Sequence, residues 1–168
     1  MKKLLLLLTV FAFSFCACSD DDDKDYTVDD IAGRWQAEGI RIEKIDASPE
    51  LLRQAIESIY DDFEESDPLI MTFTKEGTYE RKYKNGDGST GIYTLSGNKL
   101  AFTSSEDYSY SATVYTNNNS LELEHDETED LNEELNDPDF KRMLAQLGID
   151  PKDVKINKVI VTEVFKKI

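Results

Sequence analysis

The chain has 168 residues, 35 of them acidic and 19 basic, for a formal net charge of −16. That charge repels phosphate backbones and anionic headgroups, which excludes a nucleic-acid reader and any membrane binding that rests on basic side chains. The length suits a single domain, and two cysteines, Cys16 and Cys18, are too few for a disulfide framework.

The chain opens with Lys2 and Lys3, followed by an apolar run from Leu4 to Phe13 that is too short to span a bilayer as a stable helix. Small Ala17 then precedes Cys18. These features resemble a bacterial lipoprotein signal with a signal peptidase II lipobox, although Phe15 and Cys16 stand where Leu and a small residue are usual. The resemblance implies cleavage after Ala17 and a lipid on Cys18. Cys16 would leave with the signal peptide, and so would Lys2 and Lys3. The mature chain then has 17 basic and 35 acidic residues, a net charge of −18, and no thiol beyond the acylated one. The run Ser19, Asp20, Asp21, Asp22, Asp23 resembles the surface-export signal of Bacteroides-type lipoproteins, which implies an outer-membrane anchor facing the cell exterior. As residues alone, the run also reads as a self-repelling tether, the second of the two readings, and adjacent carboxylates do not preform a calcium cage. The chain thus divides into a signal peptide (1–17), a lipidated acidic tether (18–27) and a folded domain (28–168).

Tyr26 to Ala32 reads as a short helical turn, and Gly33-Arg34-Trp35 opens a strand running to about Ile45. Its apolar residues do not alternate cleanly, and Gly39 marks a bulge. Ser48-Pro49-Glu50 starts a helix, with Leu52, Ala55, Ile56, Ile59 and Phe63 at three- and four-residue spacing. From Leu69 the period becomes two. Leu69–Thr74, Thr78–Lys84, Gly91–Leu95, Lys99–Ser104, Tyr108–Thr116 and Ser120–His125 read as strands separated by Gly- and Asn-rich turns. Glu127–Glu134 is an acidic helical stretch. Asp137-Pro138 starts a helix with the apolar stripe Phe140, Met143, Leu144 and Leu147, ended by Gly148. Lys155–Lys167 is the final strand.

Short links force antiparallel neighbours, and a meander of about eight strands avoids open edges by closing on itself. The fold class is therefore all-β: an up-and-down antiparallel barrel, with one helix in the first connection and another before the last strand. Gly33-Arg34-Trp35 after a helical turn, with Tyr93-x-Leu95-x-Gly97-Asn98-x-Leu100, resembles the lipocalin-like domains of Bacteroides-type lipoproteins over residues 28–168. The usual Thr-Asp-Tyr turn motif is absent, and Lys166 and Lys167 are the only late cations where the family carries an Arg against the Trp. The resemblance implies that Gly33 and Trp35 sit at the closed end with both chain termini. The Ser48–Asp67 helix, the Asn85–Gly88 loop, Ser105–Asp107 and Asp126–Lys152 then form the open rim. Closure is expected to set Ile40 and Ile42 beside Val159 and Val161 on the face away from Trp35. The Phe140–Leu147 helix would brace that outer wall, leaving the Leu51–Phe63 helix as a lid.

Alternation places Trp35, Phe73, Tyr79, Arg81, Tyr83, Tyr93, Leu95, Leu100, Phe102, Tyr110, Ala112 and Leu123 inside. Such a barrel is just wide enough for its own side chains or for one small ligand. The candidate ligand residues are Tyr79, Tyr83, Tyr93 and Tyr110 as amphipathic walls and Arg81 as an interior cation for a carboxylate or sulfate, the plainer alternative being an Arg81 on the outer face paired with a surface acid. His125 is the single histidine, and no nucleophile elbow, Walker loop or His-Glu-x-x-His run exists. No cofactor, metal ligand or catalytic residue is assigned. Two readings remain in front: a surface-tethered binding module for a small amphipathic or glycan-derived ligand, and a protein-interaction module, inhibitor or accessory subunit, with a filled barrel. A carboxylate-based hydrolase is the third.

Overall fold

A computed structural model describes residues 24–61, 70–83, 87–105 and 109–168. The signal peptide, Cys18, the run from Ser19 to Asp23, and the Asp67-Pro68, Asn85-Gly86 and Glu106-Asp107 connections lie outside the described residues. Eight strands form one closed antiparallel barrel in which each strand pairs with the next and the last with the first. They are β1 (Gly33–Ser48), β2 (Ile70–Phe73), β3 (Thr78–Lys82), β4 (Gly88–Ser96), β5 (Lys99–Ser104), β6 (Ser109–Thr116), β7 (Ser120–Asp126) and β8 (Lys155–Lys167). A short helix α1 (Val28–Ile31) precedes β1, α2 (Glu50–Asp61) follows it, and α3 (Thr128–Glu134) and α4 (Pro138–Gln146) precede β8.

One end is sealed by the chain itself. The Tyr26 amide donates to the Gly97 carbonyl in the β4–β5 turn at 3.1 Å, and Tyr26 packs against the barrel core. In α1, Asp30 accepts from the Thr27 amide at 2.8 Å, closing a capping box, and Ile31 is fully buried. The Trp35 indole N–H donates to the Ile31 carbonyl at 2.8 Å, so the tryptophan is buried without an orphaned donor. Lys167 Nζ lies 5.1 Å from the centre of the Trp35 ring, a cation–π contact where the family resemblance leads one to look for Arg. The Lys167 amide donates to Asn119 in the β6–β7 turn, so the chain leaves the barrel at the same end that it entered.

The predicted inward residues Trp35, Phe73, Tyr79, Tyr93, Leu100, Phe102, Ala112 and Leu123 are all buried in one core with Met71, Val114, Leu121 and Phe165. The rings interlock: Phe73 meets Tyr93 edge-on at 5.1 Å, and Tyr79 meets Phe102 edge-on at 5.1 Å. Gly91 makes room for this. It pairs with Tyr79 across the β3–β4 ladder, and a Cβ there would stand 2.8 Å from the Tyr79 ring and 2.1 Å from the Thr103 carbonyl oxygen.

The expectation for Ile40, Ile42, Val159 and Val161 is corrected. Along β8, Val159, Val161 and Glu163 share the face of Phe165, because each residue of that stretch pairs in turn with β1. The pairing skips one β1 residue between Ala37 and Gly39 and another between Ile42 and Lys44, so both extra residues, Glu38 and Glu43, lie in β1. Each bulge flips the pleat once. Trp35 and Ala37 point inward, and past the first bulge Ile40 and Ile42 do so too, opposite Glu163 and Val161. Past the second bulge Ile45 follows, opposite Val159. The upper halves of β1 and β8 thus carry the barrel's inner face upward. A second core covers it, built from Leu52 and Ile56 of α2, Leu131 of α3, Leu144 of α4, and Ile149, Ile156, Val159 and Val161. The division into an outer brace and a separate lid is therefore overturned: α2, α3 and α4 all close on the same inner face above the barrel.

Candidate functional site

Between the two cores lies a layer of polar side chains. Arg81 points inward from β3, His125 from β7, Glu163 from β8 and Tyr110 from β6. Glu163 Oε2 accepts from Arg81 Nη2 at 3.3 Å and lies 3.3 Å from His125 Nε2, so one carboxylate oxygen joins the cation and the imidazole. The Arg81 guanidinium stands 5.5 Å from the centre of the Tyr110 ring, which also stacks on Phe102 at 4.4 Å. Tyr110 and His125 are 6.1 Å apart, centre to centre. The Arg81, Glu163 and His125 side chains retain 16%, 18% and 12% exposure, so the layer is sheltered yet reaches solvent.

The electrostatics follow from burial and pairing. Burial pushes the Glu163 carboxyl up, but the His125 hydrogen bond and the Arg81 charge outweigh it and hold the group below the usual carboxylate range. Burial pulls the Arg81 guanidinium down, and Glu163 together with Tyr110 and Tyr83 outweighs it, so the group stands above its usual value. Burial drives the Tyr110 hydroxyl well above its usual value, against the opposing pull of Arg81. Glu127, where β7 gives way to α3, is also raised by burial, with His125 pulling the other way and Asp130 and Glu163 adding to the rise. One donor in the layer is left over. Arg81 Nε is buried and finds no hydrogen-bond partner among the described residues.

Of the sequence-predicted ligand residues, the structure brings together Arg81, Tyr83 and Tyr110. Tyr83 stands at the rim with 42% of its surface exposed. Tyr79 lies in the barrel core, 3% exposed against Phe102. Tyr93 belongs to the closed end, where its hydroxyl donates to the Thr74 carbonyl at 2.6 Å. Gly33 and Trp35 take the closed-end positions that the motif implies. Sequence reasoning missed Glu163 and His125. The signal for Glu163 was present: it is the one charge on the alternating apolar face Val159, Val161, Phe165.

Chemically, the layer offers fixed donors and acceptors with their charges already matched. Glu163 is held ionised by two partners, an arrangement suited to hydrogen bonding. Comparison with family models, curated proteins and solved structures finds no match for this chain.

Proposed function

We propose that this protein is a lipoprotein anchored through Cys18 in the outer membrane, facing the cell exterior, whose lipocalin-like barrel binds a small amphipathic or glycan-derived molecule at its mouth without transforming it. One observation carries the reading: a buried guanidinium donor, Arg81 Nε, has no partner among the described residues, in a polar layer that reaches solvent. A buried donor without an acceptor costs about 1–3 kcal/mol, which a bound acceptor would recover. The orientation is consistent with an anchor. The chain enters at Tyr26 beside the closed-end turns, so a tether running back to Cys18 would hold the mouth away from the bilayer. A second reading, a protein-interaction module working through its rim, draws support from the filled lower barrel.

Native mass spectrometry of the full protein purified from its own host separates the two. A retained small molecule, released on denaturation and lost in Arg81→Met, supports binding at the mouth. A clean lipoprotein mass with a co-purifying polypeptide supports the second reading. The anchor has its own test: an alkynyl fatty acid should label the wild type and not Cys18→Ala. Replacing Asp20 to Asp23 with alanine should keep the label but abolish digestion by protease added to whole cells.

A further inference from the structure

Building on the proposed binding reading, we infer that the group recognised at the mouth is a neutral, polyhydroxylated ring, and that Arg81 does not serve as an anion trap. Arg81 does not stand in the layer as a lone cation. Its charge is already matched by Glu163 at 3.3 Å, so the pair offers a ligand no net positive field. Glu127 stands near enough to interact electrostatically with both His125 and Glu163. The chain around the site carries a formal net charge of −16. A carboxylate or sulfate entering this layer therefore meets like charge in a sheltered place, where Coulomb terms are poorly screened.

An ammonium cannot itself complete the layer. The group without a partner among the described residues is a donor, Arg81 Nε–H, and an ammonium has no lone pair with which to accept from it. What remains is a neutral group that accepts, and a hydroxyl does so while donating through its own proton. A vicinal diol fits best, with one oxygen accepting from Arg81 and its neighbour donating to Glu163, since these protein groups are themselves in contact. The apolar surface of the ring needs an aromatic face. Tyr110 is already engaged, stacked on Phe102 and lying under the Arg81 guanidinium. Tyr83, exposed at the rim two residues on from Arg81, can supply one.

The sequence provides its own reporters. His125 is the only histidine and sits in the layer, while Trp35 is the only tryptophan and sits at the closed end. The test titrates the full chain, in detergent micelles, with methyl glycosides of glucose, galactose and mannose. Each is paired with its uronate, which differs only at C6. The expected result is that at least one neutral glycoside shifts the His125 imidazole resonances, leaves the Trp35 indole unmoved, and binds at least about tenfold tighter than its uronate. The double variant Arg81→Met/Glu163→Gln removes the pair without leaving a buried charge. It should weaken binding by about tenfold or more while its Trp35 signal stays native. Tyr83→Ala should weaken binding as well. A uronate that binds as tightly as its neutral relative overturns the inference. If every glycoside fails but decanol shifts His125, the ligand class is wrong and binding at the mouth stands. If decanol fails too, both fall.

Discussion

The two cores of this molecule solve the same problem with different side chains. The lower one lies inside a closed sheet and is filled largely by rings: Trp35, Phe73, Tyr79, Tyr93, Phe102 and Phe165. The upper one lies between helices and the two tall strands, and its fully buried members are aliphatic: Leu52, Ile56, Leu144 and Val159. Strand number and tilt fix the width of a closed barrel, so long side chains must reach across it from opposite walls. A helix resting on a sheet can settle closer, so branched side chains suffice. The lower core is set by the cylinder, whereas the upper one can adjust to what it covers.

The largest expected effect breaks this contrast or confirms it. Trp35→Ala should cost about 3–5 kcal/mol, because the barrel cannot shrink around the space left behind. Leu144→Ala in the upper core should cost about 2–3 kcal/mol, since α4 can move inward. Denaturant midpoints of the two variants measure this, and equal losses would show the two cores to be equally rigid.

Next in size comes the boundary between the cores. Arg81→Ala leaves Glu163 largely buried without its cation and should cost about 3 kcal/mol, whereas Arg81→Met/Glu163→Gln should recover most of that. The pH dependence follows from Glu163. Its folded pKa lies below its unfolded one, so its stabilisation is present at neutral pH and lost as pH falls through the depressed folded value. Without Arg81 the acid unfolding midpoint should move to higher pH, as circular dichroism would show. The exposed Arg41–Glu122 pair, 2.9 Å apart on the outer wall, gives the contrasting baseline, and Arg41→Ala should cost under about 1 kcal/mol.

A smaller effect has the opposite sign. Burial raises the Glu127 carboxyl, so the stability linked to it is full below its unfolded pKa and declines as pH rises through the folded value. Glu127→Gln should therefore stabilise the protein at pH 7, by under about 1 kcal/mol, and lose that advantage below about pH 4. Smallest of all is Arg34→Ala. Arg34 is exposed beside buried Trp35, and its loss should stay within about 0.5 kcal/mol.

Much of the barrel was legible because period-two alternation and turn residues carry their meaning locally. From β2 to β7 alternation found most of the inward set but left out Met71, Val114, Leu121 and His125, and parity allowed Arg81 inside without excluding an outward pairing. β1 resisted because two bulges interrupt its count. Only the pairing with β8 shows that Ile40 and Ile42 face the same interior as Trp35. The site was half legible for the same reason. Tyr110 and Arg81 lie on regular strands, whereas Glu163 matters through a pairing 82 residues away in sequence. Tyr93 shows the limit of parity, which tells inside from outside but not floor from mouth.

The two bulges of β1 make chain length itself part of the fold's specification. Inward residues come as Trp35 with Ala37, then Ile40 with Ile42, then Ile45 with Ala47, a rhythm of five that matches neither strand nor helix. The residues left over, Glu38 and Glu43, are both exposed acids. Each works as a spacer whose presence counts for more than its identity, so lineages of this fold should tolerate many replacements there and almost no deletions. A single lost codon at either place would put the next inward pair out of phase, turning a greasy seam toward water and stripping the mouth of its cover in one step.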